Sequence, residues 1–269
     1  MAATIEECLS GTKLYGDDFD SDEIAAWFAD EAQAYTDMTG ANADDSFGYT
    51  QWAIRHGYRH LPSGRTFDHV LGFGSGRGTE LEPINGRAGR FTVVESSTSY
   101  VASRRLTKPV RQLMAQPSGD IGLCDGDVDL VVCLGVLHHI PNVSHVVGEF
   151  GRVVPGGGYA IIREPVTSMG DWREPRPGLT RRERGIPRAL LRSILTDAGF
   201  EVEHETLVGF PLIANTWRWL GKPPYNTRAW TVLDQVVCAT LAPNLTYHAT
   251  ARFRKLRPTS VAIVARRRS

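Results

Sequence analysis

The stretch VLGFGSGRGTE, Val70 to Glu80, places glycines at 72, 74, 76 and 78, behind two apolar residues and ahead of a helix-compatible run. Alternating glycines at the end of a buried strand leave the backbone bare, so a ligand can lie directly against it. A triphosphate loop would need G-x-x-x-x-G-K-[ST], with a lysine for phosphate and a hydroxyl for magnesium. Here Arg77 and Thr79 follow the glycines and no lysine is near. The strict dinucleotide pattern G-x-G-x-x-G also fails, because Arg77 or Thr79 stands where the third glycine belongs. A looser G-x-G-x-G remains at Gly74, Gly76 and Gly78, suited to a ligand whose bulk presses on the loop itself. A tight strand-to-helix turn without a ligand stays open at this point.

Outward from that loop, the chain alternates strand and helix patterns. Phe67–Leu71 reads as a buried strand, Thr79–Ile84 as a short helix, Phe91–Val94 as a strand, and Ser97–Leu106 as a helix. Val110–Ala115, Val128–Leu134 (VDLVVCL) and Tyr159–Arg163 (YAIIR) are further strands. Between the last two, Asn142 is expected to cap a helix whose inner face is Val143, Val146, Val147 and Phe150. Pro155-Gly156-Gly157-Gly158 is a hard turn. Beyond it, Leu190, Leu191, Ile194, Leu195 and Ala198 share a helical face ended by Gly199, and Glu201–Val208 and Ser260–Ala265 read as strands. Repeated β-α-β units with short connections make a doubly wound, mainly parallel sheet. The first 65 residues are different: Asp20 and Glu23 have capping-pair spacing ahead of Ile24, Trp27, Phe28 and Tyr35, and a second short helix is expected over Gln51–His60.

Glu95 closes the second strand, twenty-one residues beyond Gly74. An acid at that spacing and at a strand end can accept both hydroxyls of a ribose, which favours an adenosine-bearing ligand.

With these residues in place, the chain resembles the class I S-adenosylmethionine-dependent methyltransferases. The matching pieces are VLGFGSGRG, VVESS, DVDLVVCLGVLHHIPN and FGRVVPGGGYAIIREP, covering Thr66 to Pro165. The resemblance implies an α/β, Rossmann-like sheet of seven strands with the last antiparallel and helices on both faces. It implies S-adenosyl-L-methionine as cofactor, with the methionine and sulfonium along Gly74, Ser75 and Gly76 and the ribose on Glu95. It puts Gly72 at the head of the cofactor loop, Asp120 as the acid nearest the adenine amine, and Leu134 and Gly135 along the cofactor. Many relatives carry an acid where this chain has Gly72, which puts the organisation of the loop in question. The implied domains are a helical cap at 1–65, the cofactor-binding core at 66–210, a helical lid insertion with Trp217, Trp219 and Trp230 at 211–250, and a final core strand at 251–269.

Methyl transfer is an in-line displacement at carbon with an excellent leaving group, so orientation dominates. An oxygen acceptor also needs a base. The carboxyl ends of the strands offer His139 first, His138 second, and Glu164 to orient an acceptor hydroxyl or to pair with Arg163. Neighbouring residues rarely converge on one ion, and Cys133 is not at ligand spacing, so no metal site is expected. Lys222-Pro-Pro-Tyr225 imitates an amine-binding motif but lies far from the fourth strand, and reads as a loop. Arg173, Arg176, Arg181, Arg182, Arg184, Arg188 and Arg192 fall within twenty residues and are expected to hold a phosphate or carboxylate of a small acceptor, unless they form a solvated face. Thirty basic residues balance thirty acidic ones, which disfavours nucleic acid. Without a signal peptide, an apolar span or a cysteine framework, the expected location is the cytoplasm. Two competing readings are an RNA or protein methyltransferase docking through the arginines, and a cofactor-binding protein without catalysis.

Overall fold

The computed structural model describes residues 3–38, 48–96, 105–174, 176, 178–216 and 221–269, with backbone alone for 32–38. Seven strands form one sheet in the order β3-β2-β1-β4-β5-β7-β6. They are β1 (Phe67–Phe73), β2 (Ala88–Glu95), β3 (Val110–Met114), β4 (Leu130–Leu134), β5 (Tyr159–Pro165), β6 (Phe200–Val208) and β7 (Ser260–Arg267). The first five pair in parallel, and β7 lies antiparallel between β5 and β6.

Strand β4 shows why the sheet is buried on both faces. Val131 and Cys133 enter one apolar cluster, while Leu130, Val132 and Leu134 enter another. Period-two alternation sends neighbours to opposite faces, and both faces are apolar because helices cover each. On one side lie helix α4 (Val143–Val153), seating Val143, Val146, Val147 and Phe150, and helix α5 (Arg188–Asp197), seating Leu191 and Leu195. Full burial contributes about 1.5–3 kcal/mol for each such side chain. Gly199, at φ +81°, ends α5 as expected. On the other side, helix α3 (Thr50–His56) and the turn Tyr58–His60 cover Phe67, Val70 and Ile161. Gly57 breaks these two apart: a Cβ there would stand 2.7 Å from Ile161 Cγ2, so only glycine lets the cap settle this close to the sheet.

Several expectations are corrected. The run after the glycine loop is a 3-10 helix, Thr79–Arg87, because Pro83 lacks the donor an α-helix needs. Strand β4 starts at Leu130, not Val128. Asn142 does sit at the N-cap of α4, but its side chain makes no cap and instead donates to Ser118 O at 2.6 Å. Residues 97–104, which carry most of the helix expected at Ser97–Leu106, lie outside the described residues, as do Trp217, Trp219 and the side chain of Tyr35.

The N-terminal region is helical, with α1 (Ile5–Ser10) and α2 (Ser21–Met38) preceding α3. Asp20 and Glu23 form the reciprocal capping pair, Glu23 N donating to Asp20 Oδ1 at 2.9 Å and Asp20 N to Glu23 Oε2 at 3.1 Å. Between β6 and β7, helices α6 (Pro211–Ala214) and α7 (Arg228–Leu241) pack on Trp52 of α3 and Ala262 of β7. Tyr225 anchors this insertion: its ring stacks on Trp52 and its hydroxyl donates to the buried Asp234 at 3.0 Å. No helix among the described residues is long and apolar enough to cross a membrane.

Candidate functional site

Strand order reverses between β1 and β4, and the crevice at their carboxyl ends is where an open α/β sheet receives a ligand. A cavity of about 130 Å³ lies there, walled by the ends of β1, β2, β3 and β4 and roofed by Phe28 and Glu31 of α2. Phe73 and Gly74 line it from β1, Val94 and Glu95 from β2, and Gly135, Val136 and His139 from the segment after β4.

The glycine loop is shaped by contact. Gly74 has φ +66°, and a Cβ there would fall 2.4 Å from Val136, so any side chain would fill the cradle. Across it, Glu95 accepts from Gly76 N, and from Ser96 N at 3.3 Å. Burial raises the Glu95 carboxyl above its ordinary range, with the two backbone donors opposing. Gly74, Glu95 and Gly135 thus meet at one cavity. The Ser75 side chain turns from the loop toward Gly72 and Glu80, the Cβ position of Gly72 being 2.4 Å from Ser75 Oγ.

Two expected cofactor residues are placed elsewhere. Asp120 is exposed and binds His145 Nε2 at 2.8 Å and Ser118 at 2.8 Å; Gln116, Pro117 and Gly119 of the same loop reach the cavity instead. Leu134, by strand alternation, points to the opposite face of the sheet. Its carbonyl accepts from Arg163 Nη2 at 2.8 Å, which holds the turn into Gly135.

The three expected catalytic groups separate. Glu164 is fully buried and accepts from Val136 N and Leu137 N at 2.9 Å each, and from His138 N at 3.3 Å. His138 Nδ1 meets it at 2.7 Å, and Glu183 lies 3.5 Å from the other ring nitrogen. Burial alone would push His138 down, but its bonds to Glu164 and Glu183 outweigh that and carry it up to about 9. At neutral pH His138 is therefore an imidazolium in an ion cluster and unfit as a base. Glu164 binds His138 and not Arg163, because neighbours on β5 face opposite ways. One donor atom each from His138, His139 and Glu183 lie within 4.8 Å of one another, a spacing an ion could bridge. The proton on His138 offsets one of the two carboxylate charges of Glu164 and Glu183 there.

His139 does line the cavity. Its Nδ1 meets Glu31 Oε2 at 3.0 Å, and Thr180 Oγ1 donates to Glu31 Oε1 at 2.6 Å. Trp27 Nε1 donates to His139 O at 2.7 Å. A histidine on the cavity wall is thus oriented by a carboxylate from the N-terminal helix. Sequence reasoning missed Glu31, since nothing in the local pattern of α2 distinguishes it from other acids of that helix.

The arginines are divided between interior and surface, Arg173, Arg181 and Arg192 being exposed. Arg184 is fully buried and donates to the carbonyls of Tyr15, Leu137, His138, Ile140 and Pro141. Arg173 pairs with Asp171, Arg182 with Asp30, and Arg188 and Arg192 with Glu205. Arg176 donates to backbone carbonyls of its own loop. No arginine or lysine stands among the described residues lining the cavity, and no described residue of 211–250 does either.

Residues 71–162 match a family described as a methyltransferase domain. Over 151 residues the chain is 28% identical to a probable S-adenosylmethionine-dependent methyltransferase of Mycobacterium tuberculosis, covering 55% of each. The chain thus spans about half the length of the curated relatives it matches. Among solved structures, a 1,6-didemethyltoxoflavin-N1-methyltransferase of Burkholderia thailandensis, with bound 1,6-didemethyltoxoflavin and S-adenosylhomocysteine, superposes with TM-score 0.55 at 17% identity, covering 93% of this chain and 92% of that one. The [4+2]-cyclase SpnF superposes with TM-score 0.56 at 14% identity, covering 93% and 97%. These likenesses establish the fold.

Proposed function

We propose that this chain is a class I S-adenosylmethionine-dependent methyltransferase that transfers a methyl group from S-adenosyl-L-methionine to an oxygen of a small acceptor beside His139, a reading supported by the methyltransferase-domain match over residues 71–162. The observation that carries this reading is that the bare Gly74 cradle, Glu95 and the Glu31-oriented His139 share one cavity. When bound, the cofactor supplies an electrophilic methyl on a sulfonium leaving group. Gly74, Ser75 and Gly76 hold its amino-acid end, Glu95 accepts from the ribose hydroxyls in place of Gly76 N and Ser96 N, and Gln116, Pro117 and Gly119 flank the base. A carboxylate on Nδ1 fixes the His139 ring and stabilises the imidazolium that forms when it takes a hydroxyl proton. Glu164 and His138 stiffen the segment that carries His139.

The described lining offers two carboxylates and several apolar side chains, which favours a neutral acceptor over the anionic one expected from the arginines. With most of those arginines engaged inside the chain, an RNA or protein docking surface is the weaker reading. Incubation with methyl-labelled cofactor and small-molecule extracts tests the activity, label in a neutral compound being the expected result. His139→Gln should lower kcat by about 10²–10⁴-fold while leaving affinity for S-adenosylhomocysteine unchanged. An unaltered kcat removes the base assignment.

A further inference from the structure

Position 72 lacks the acid that the resemblance leads one to expect, and the space is not empty. A Cβ on Gly72 would stand 2.4 Å from Ser75 Oγ and 2.8 Å from Leu81 Cδ1. The first distance is about that from an aspartate's Cβ to its own carboxylate oxygens, so the Ser75 hydroxyl takes up space that such a carboxylate would need. Behind it, Ser75 Oγ meets Glu80 Oε1 at 2.5 Å. Glu80 belongs to the 3-10 run after the loop and is 4% exposed. Its backbone is fixed from the cap side, where Tyr58 donates its hydroxyl to Glu80 O at 2.7 Å.

We infer that Glu80, acting through Ser75, is the positioning carboxyl of the glycine loop, delivered from the helix after the loop instead of from the strand before it. This rests on the cofactor reading above. The pair sets the conformation of Gly74–Gly76 from below, while the cofactor's amino-acid end lies above.

The electrical surroundings add a consequence. Arg163 and Glu164 from β5 and Glu95 from β2 act on Glu80, besides the Ser75 hydroxyl. Burial pushes the carboxyl up to about 8, Ser75 opposing, so it carries a proton at pH 7. An ammonium group arriving above the loop favours the ionised form. Binding therefore releases a proton.

The test is calorimetric titration of the full chain with S-adenosylhomocysteine at pH 7, in two buffers of different ionisation heat. The wild-type protein should release a substantial fraction of a proton. Glu80→Gln, nearly isosteric, should abolish that release and weaken binding by about tenfold. Ser75→Ala should weaken binding similarly. Gly72→Asp combined with Ser75→Gly and Glu80→Gln should restore most of the affinity, because the carboxylate is returned from the strand side. Gly72→Asp alone should fail to bind, for want of room. Wild-type affinity and wild-type proton release in Glu80→Gln would overturn the assignment, as would a folded triple variant that binds no better than Glu80→Gln. A wild-type protein that binds no S-adenosylhomocysteine would instead overturn the cofactor reading.

Discussion

Two carboxyl groups lie under the two loops that border the crevice, and their partners treat them oppositely. Glu80 sits beneath the glycine loop after β1, and Glu164 beneath the segment after β4. Both are nearly or wholly shut from water. Burial alone would raise both, and it carries Glu80 up to about 8, since among the described residues Ser75 alone donates a side-chain hydrogen bond against it. Glu164 is held below its ordinary value: burial still opposes, but the imidazolium of His138 and the amides of Val136 and Leu137 outweigh it. The state of a buried acid follows from the donors around it, not from its depth. In consequence the β4 side is a fixed ionic brace, while the glycine loop rests on a carboxyl able to change charge when a cation arrives.

The largest break in this comparison is Glu164→Ala. It leaves the His138 imidazolium and three backbone N–H groups without their acceptor, and should cost about 3–5 kcal/mol of folding stability, read from urea unfolding. A loss near that of an ordinary surface substitution would show that the brace is not ionic.

The pH profile sharpens the contrast. Glu80, raised from 4.5 to about 8, contributes stability that is complete below pH 4.5 and is lost as pH rises through 8. His138, raised from 6.5 to about 9, contributes stability complete below 6.5 and lost as pH rises through 9. Glu164 and Glu183, both lowered, contribute above the ordinary carboxylate range and lose it as pH falls through their folded values. The wild-type protein should therefore lose stability from pH 6 to 9.5, by an amount of order a few kcal/mol. Glu80→Gln should remove the Glu80 share of the fall, making the profile shallower up to pH 8, and leave the fall between pH 6.5 and 9 that belongs to His138. An unchanged slope in that variant would place the Glu80 titration elsewhere.

The smallest effects compare two acids next to the cavity. Glu95→Ala should weaken S-adenosylhomocysteine binding by about 1–3 kcal/mol. Asp120→Ala, on an exposed side chain turned to His145, should change it by less than about 0.5 kcal/mol. Equal losses from the two would restore the adenine-side acid that the structure turns outward.

Much of the framework was legible because it is written in local periodicity. Val143, Val146, Val147 and Phe150 mark a helix face by spacing alone, and all four are fully buried. The pattern around Val70, Val93 and Val132 identifies central strands in the same way, and Glu95, singled out by its distance from Gly74, ends β2 and lines the cavity. The site was legible only where a residue closes a strand. His139 and His138 are adjacent and chemically identical, yet one lines the cavity and the other is locked between two glutamates. That difference depends on Glu31, Glu164 and Glu183, brought together from three distant segments. The arginines show the same dependence: Arg182 pairs with Asp30 and Arg184 with carbonyls between Leu137 and Pro141, partners remote in sequence that local pattern does not reveal.

By itself, the sequence determined the order of strands and helices, the glycine cradle and the acid opposite it, because hydrophobic period, turn residues and strand ends are local properties of the chain. Only the tertiary structure decided which histidine meets the cavity, which carboxyl supports the glycine loop, and which charges are consumed in bracing. Those outcomes depend on burial and on donors contributed across long stretches of chain, and a carboxyl or imidazole acquires its charge state only once its neighbours are in place.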